Sequence, residues 1–144
     1  DRQLLARERE RNDALATQTA ELAFISRLLN DPYAGKPVSG PAVSDYGLPA
    51  AGFIYSDPQS PVAIMLTYWL PPLGPDQRFQ VWLYTADGQR DTGGLFSADS
   101  HGNAHVIIRA PYAFAKYQSI GVTIEPASGS AWPTTPRVCG GTLR

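Results

Sequence analysis

Few groups in this chain could do chemistry, and the most suggestive is Glu125, which closes the apolar run Ile120 to Ile124 and is followed by Pro126 and a small-residue turn. A strand-end carboxylate can act as a general acid when the fold supplies a partner and raises its pKa. No partner is identifiable here. The competing reading is structural, with the carboxylate accepting hydrogen bonds from the backbone N–H groups of Ser128, Gly129 and Ser130, and it is the stronger of the two.

The two histidines, His101 and His105, flank a predicted turn at Gly102-Asn103, where an i, i+4 spacing no longer puts both rings on one helical face. A zinc site on that pair is therefore disfavoured. Serines are plentiful, but no Gly-x-Ser-x-Gly elbow sets one on a strained turn, so hydrolysis is not expected. Gly93-Gly94 lacks the strand, spacing and helix of a phosphate-binding loop and is read as a bulge or tight turn. Cys139 is the only cysteine, which excludes an internal disulfide. It is read as a small buried hydrophobe in a C-terminal strand, with intermolecular pairing or a reactive thiol as alternatives. No cofactor, no metal and no enzymatic activity are expected.

The elements that must position these groups follow from composition. The chain has 144 residues, a hydrophobic share of 43% and a formal net charge of -1. That length permits one cored domain plus an accessory segment, and the charge supplies no basic field for nucleic acid. No run approaches the roughly 18 apolar residues a membrane-spanning helix needs. A start at Asp1 without an initiator Met is expected of a piece cut from a longer protein.

Residues 1 to 30 read as one helix, with Leu4, Leu15, Leu22, Ile25 and Leu29 at spacings of a helical face and nothing to break it before Asp31-Pro32. Its first half is densely charged and its second half apolar. Read as heptads, Leu15, Leu22 and Leu29 share one seam position while Leu4, Arg11, Gln18 and Ile25 share the other, so the seam has a polar middle. The second half is expected to dock within the chain; a weak parallel coiled coil, hence a weak homodimer through residues 1 to 30, is the alternative, and an artefact of truncation the third. Residues 31 to 50, with Pro32, Gly35, Pro37, Gly40, Pro41, Gly47 and Pro49, read as a linker that excludes regular helix or a central strand, with Tyr33 and Tyr46 as anchors.

From residue 51 the period becomes two. Predicted strands are Gly52 to Tyr55, Val62 to Trp69, Phe79 to Thr85, Gly94 to Ser97, Ala104 to Arg109, Ser119 to Ile124 and Arg137 to Leu143, separated by turn residues. These predict a mainly β fold, an antiparallel immunoglobulin-like β-sandwich of about seven strands over residues 51 to 144, preceded by one helix. Pro111 to Tyr117 is read as either a short helical turn or a loop over an edge. In the strand from Phe79, Phe79, Val81 and Leu83 face the core. Trp82, on the opposite face, is expected beneath the helix or linker in preference to forming an exposed aromatic platform.

Several short motifs in order carry a resemblance to a family. They are Leu70 to Tyr84, with Pro71, Pro72, Phe79 and Trp82; Gly93 to Phe96, with Gly94, Leu95 and Phe96; Asp99 to Gly102; and the segment Thr123, Glu125, Pro126, Gly129, Pro133 and Thr134. Their order and spacing over residues 51 to 143 resemble the C-terminal domain of anti-sigma-K factors, the RskA family. Ser128-Gly129 replaces the family's usual glycine pair, and Trp132 stands where a smaller or polar residue is common.

The resemblance implies a single-pass regulator of the cell membrane. A cytoplasmic domain missing from these residues sequesters an extracytoplasmic-function sigma factor, and membrane proteases release it. On that reading residues 1 to 30 are a juxtamembrane helix and the sandwich is extracytoplasmic. A sigma factor is then the partner of the longer protein and not of this piece. The alternative from a different class is a secreted or surface-attached module that binds carbohydrate or protein through Trp69, Trp82 or Trp132.

Overall fold

A computed structural model describes residues 1–41 and 49–144. It contains one long helix and eight strands: α1 Arg2–Leu29, β1 Gly35–Ser39, β2 Ala51–Ser56, β3 Val62–Tyr68, β4 Gln77–Tyr84, β5 Arg90–Phe96, β6 Ala104–Arg109, β7 Ser119–Pro126 and β8 Cys139–Thr142. No helix among the described residues is long and apolar enough to cross a membrane.

The helix is set by its ends. Asp1 caps it by accepting a hydrogen bond from Gln3 N at 2.9 Å, and Asn30 ends it with its side chain donating to Ser26 O, just before Pro32. Residues 1 to 20 are exposed on every side, and only Ile25 and Leu28 are buried.

The strands form one antiparallel sheet in the order β5-β4-β7-β8-β1-β2-β3-β6. The sheet is nearly closed, because its two edge strands approach each other: a Cβ at Gly93 of β5 would lie 2.9 Å from Ile108 of β6. Alternating residues point inward, so Ile54, Met65, Phe79, Val81, Leu83, Val106, Ile108, Ile120 and Val122 make a common core. The predicted mainly β architecture with one N-terminal helix is the one found, with one strand more than the sequence suggests.

The extra strand is β1, within residues expected to be a linker free of central strands. All five of its residues pair with β2, while toward β8 only Ser39 pairs, with Gly140. Pro37 is tolerated because that second ladder is a single residue pair, so a missing N–H costs little there. Residues 31–41 thus belong to the body, with Ala34 and Val38 buried. Tyr33 is not an anchor, being 88% exposed; Tyr46 and Gly47 lie outside the described residues.

The two ends of the sheet differ. One is plugged by a 3₁₀ turn, Phe114–Lys116, which resolves the ambiguous stretch Pro111 to Tyr117. Phe114 and Tyr117 pack edge to face there with centroids 5.9 Å apart, and Tyr117 Oη donates to Asp91 Oδ2 at 2.6 Å. The other end opens into a cleft of about 560 Å³ between the segments Leu70–Arg78 and Ser97–Gly102.

Candidate functional site

The sequence motifs fall into two places. Pro71, Pro72 and Phe79 line the open-end cleft together with Asp99 and His101. Phe96 lies beside it, packed on Phe79 with ring centroids 5.3 Å apart. The turn across the cleft is built around Asp99, whose carboxylate accepts from His101 N and Asn103 N, both at 2.9 Å. Those amides hold the Asp99 carboxyl below its ordinary value. Gly102 is required, since its φ is +79° and a Cβ would lie 2.5 Å from Leu70 O.

Trp69, at the end of β3, has φ +61° and is 58% exposed. Holding a bulky side chain in the left-handed region costs about 1–2 kcal/mol, so this exposed indole sits on strained backbone. Its neighbours Tyr68 and Leu70 are extended strand and cleft wall respectively.

The second place is the outer face of β4 and β7, where Trp82, Thr123, Glu125 and Thr134 meet. Trp82 Nε1 donates to Thr123 Oγ1 at 2.8 Å, and that hydroxyl donates onward to Glu125 Oε2 at 2.5 Å. Thr134 N donates to the same oxygen at 3.0 Å, while Ser130 Oγ and Thr134 Oγ1 donate to Oε1. Each carboxylate oxygen therefore accepts two hydrogen bonds, which fills its lone pairs. Burial raises the Glu125 pKa, but the hydrogen bonds from Thr123, Thr134 and Ser130 outweigh it and leave the group below its ordinary value. A carboxylate that is ionised and saturated has no proton to give and no free site to take one, so this arrangement makes it an anchor.

What Glu125 anchors is the segment 127–138, which arches over this face. Ser130 and Gln80 exchange two hydrogen bonds, Ser130 N to Gln80 Oε1 at 2.9 Å and Gln80 Nε2 to Ser130 O at 3.1 Å. Thr135 Oγ1 does the same with the backbone of Ile124, accepting from its N–H at 3.0 Å and donating to its carbonyl at 2.8 Å. Gly129 turns the segment with φ +83°, while Pro126 and Pro133 bracket it. Arg137 then lies across Gly121 and Gly140, where a Cβ would come within 2.8 Å of its side chain. Gly94 and Leu95 border the segment, beside the register shift in the β4–β5 ladder.

Two expectations are corrected by this geometry. The donors to Glu125 are the hydroxyls of Thr123, Ser130 and Thr134 and the Thr134 N–H; the Ser130 N–H goes to Gln80, and Gly129 N to Pro126 O. Trp82 does not lie beneath the helix: α1 packs on β2 and β3, on another part of the sheet. Burial also removes Trp82 from any exposed aromatic platform, leaving Trp69 and Trp132 as the exposed indoles. Gln80, Thr135 and Arg137 were not singled out by sequence.

Cys139 is buried in β8, and burial pushes its thiol up to about 12 while the Arg137 charge pulls the other way. It is packing, not a reactive group. Among the described residues, no three His, Cys, Asp or Glu side chains are grouped to hold a metal.

On the outer face of β2 and β3, Ile25 and Leu28 of α1 are buried and Glu21 pairs with Arg109 of β6. This contact is small and mostly apolar.

No curated protein and no solved structure matches the chain. The family model described as anti-sigma-K factor rskA, C-terminal, matches residues 4–138, so the match takes in α1 and β1 as well as the motifs from residue 51 onward. A sheet latched by Glu125 and a helix leading into it are thus one family unit, and the chain belongs to the anti-sigma-K factor RskA C-terminal family.

Proposed function

We propose that residues 1–144 are the extracytoplasmic regulatory part of a single-pass membrane anti-sigma factor. It controls an extracytoplasmic-function sigma factor through regulated proteolysis and has no enzymatic activity or cofactor of its own. Family membership supports the anti-sigma role. The sigma-binding part and the membrane span belong to sequence beyond these residues, so an isolated sigma factor is expected not to bind them. Saturable binding of a sigma factor to residues 1–144 would remove that assignment.

The observation that carries the regulatory reading is how α1 joins the sandwich. Only its last two turns are held, by Ile25, Leu28 and the Glu21–Arg109 pair, and the chain then runs directly into β1. Proteolysis needs several residues of locally unfolded backbone, so docking protects this junction and undocking exposes it. Replacing Ile25→Asp together with Leu28→Asp is expected to speed proteolytic cleavage between residues 15 and 41 while the sandwich still unfolds cooperatively. An unchanged cleavage rate with the helix demonstrably undocked would overturn the gating mechanism.

Trp69 favours a second reading, a binding module for carbohydrate or protein, because an exposed aromatic on strained backbone beside a cleft suits ligand contact. Saturable quenching of tryptophan fluorescence by an oligosaccharide, lost in Trp69→Gly, would support it. Absence of any saturable response across neutral and acidic oligosaccharides would leave the regulatory reading alone.

A further inference from the structure

We propose that a small hollow where β3 ends and β6 begins, lined by Tyr68, Asp99, Asn103 and His105 and adjoining Trp69, binds one ring of a neutral oligosaccharide. The proposal rests on the binding-module reading above and gives that reading its residues and its ligand.

The turn across from β3 prepares the place. Asp99 N donates to Asn103 O at 2.9 Å, Gly102 N to Asp99 O at 3.0 Å, and Leu70 N to Gly102 O at 2.9 Å. The last bond ties the turn to the residue after Trp69, and a Cβ on Gly102 would lie 3.2 Å from the Trp69 carbonyl carbon. Left-handed backbone on a bulky residue persists only where its surroundings over-determine it, and such positions cluster at ligand sites. At φ +61° a glycine would carry no strain, and the exposed indole buries little in exchange, so the fold alone does not account for tryptophan at 69. Its neighbours part to two hollows: Leu70 lines the larger cleft and Tyr68 the smaller one, with Asp99 in the wall of both.

The chemistry of the smaller hollow selects the ligand. Leu66 and Tyr68 share the outer face of β3, with His105 of β6 opposite Leu66. Asp99 uses Oδ1 for both turn amides, so its other oxygen is an acceptor for a ligand. That oxygen, a phenol, a carboxamide and an imidazole together offer both donors and acceptors on exposed, planar groups. Hydroxyls, each donor and acceptor at once, match such a mixed set, and an aromatic face suits the apolar side of a sugar ring. No Lys or Arg among the described residues lines the hollow, so nothing offsets Asp99 against an anionic ligand. The volume is about 230 Å³, below the roughly 300–1,000 Å³ of sites that enclose a drug-sized molecule. It therefore takes a single ring of a longer chain. A protein partner would ask for a wider and more apolar centre.

Isothermal titration of residues 1–144 with cellotetraose, xylotetraose, chitotetraose and tetragalacturonate is expected to show saturable binding of a neutral oligomer and the weakest response to tetragalacturonate. Tyr68→Phe, Asn103→Ala and His105→Ala should each weaken binding about threefold to tenfold, the loss of one hydrogen bond, with an unchanged unfolding midpoint because these side chains are exposed. Trp69→Gly should abolish binding with an equal or higher midpoint, since the strain goes with the indole. Arg78→Ala, which alters only the larger cleft, should bind as the unaltered chain does. Saturable binding that is indifferent to the Tyr68, Asn103 and His105 substitutions, or is lost in Arg78→Ala, overturns this site and leaves the binding-module reading standing. Preference for tetragalacturonate overturns the neutral ligand. No response to any neutral oligomer overturns the inference; a response to a casein digest in place of the sugars assigns the module to polypeptide, and no response to either removes the module reading as well.

Discussion

The two outer faces of this sheet are covered in opposite ways. Over β4 and β7 the cover is the segment 127–138, fixed by hydrogen bonds at Gln80, Ile124 and above all the buried Glu125. Over β2 and β3 the cover is the end of α1, held by two apolar side chains and one solvent-exposed ion pair. A polar network in a dry site has a unique geometry and is costly to break in part, because each orphaned group keeps its desolvation cost. Two apolar contacts at the end of a helix are non-directional and can be given up locally. The first face is held by directional bonds, the second by a small apolar contact.

Removing the anchor should have the largest effect. Glu125→Ala strips the acceptor from three hydroxyls and the Thr134 N–H, and is expected to cost about 2–4 kcal/mol in urea unfolding. A cost near zero would mean that the network is ornamental and that the contrast between the faces is false. The acid limb of stability should come next. Because the folded Glu125 carboxyl sits below its ordinary value of 4.5, its contribution is fully present above that value and is lost as pH falls through the lower folded value. Glu125→Gln should flatten that part of the pH profile; an unchanged acid slope would place the proton uptake elsewhere.

The helix face should respond less and differently. Leu28→Ala is expected to cost about 1 kcal/mol or less in global unfolding, below the usual range for a core leucine, because the helix end can detach while the sheet stays folded. Amide exchange over residues 21–30 should nevertheless accelerate. A loss as large as that of Glu125→Ala would show that the helix is part of the cooperative core. Smallest of all, Arg109→Ala should change stability by under about 0.5 kcal/mol, since its pair with Glu21 is exposed and screened.

Much of the sheet was legible in the sequence because alternation and turn chemistry are local: Ala104–Arg109 was read to the residue, and β2, β3 and β7 within a few. β1 was not, because Gly35 and Pro37 argue against a central strand and only the near absence of a ladder on one side admits them. The importance of Glu125 was visible from its place at a strand end, whereas its donors were not, since Thr123 precedes it on the same strand and Ser130 and Thr134 reach it from the segment that folds back over the sheet. Trp82 illustrates the limit. Period two put it correctly on the outer face, but what covers that face comes from residues about fifty positions later along the chain.

The position of β8 bears on how this domain comes into being. Four residues, Cys139–Thr142, separate β7 from β1 and are, among the described residues, the only hydrogen-bonded bridge between the group β5-β4-β7 and the group β1-β2-β3-β6. Until that last strand is available the two groups have no shared ladder, so a chain emerging from synthesis or export holds two open half-sheets. Assembly then waits on a strand that follows the other seven in chain order, and its loss would strand both halves with exposed edges.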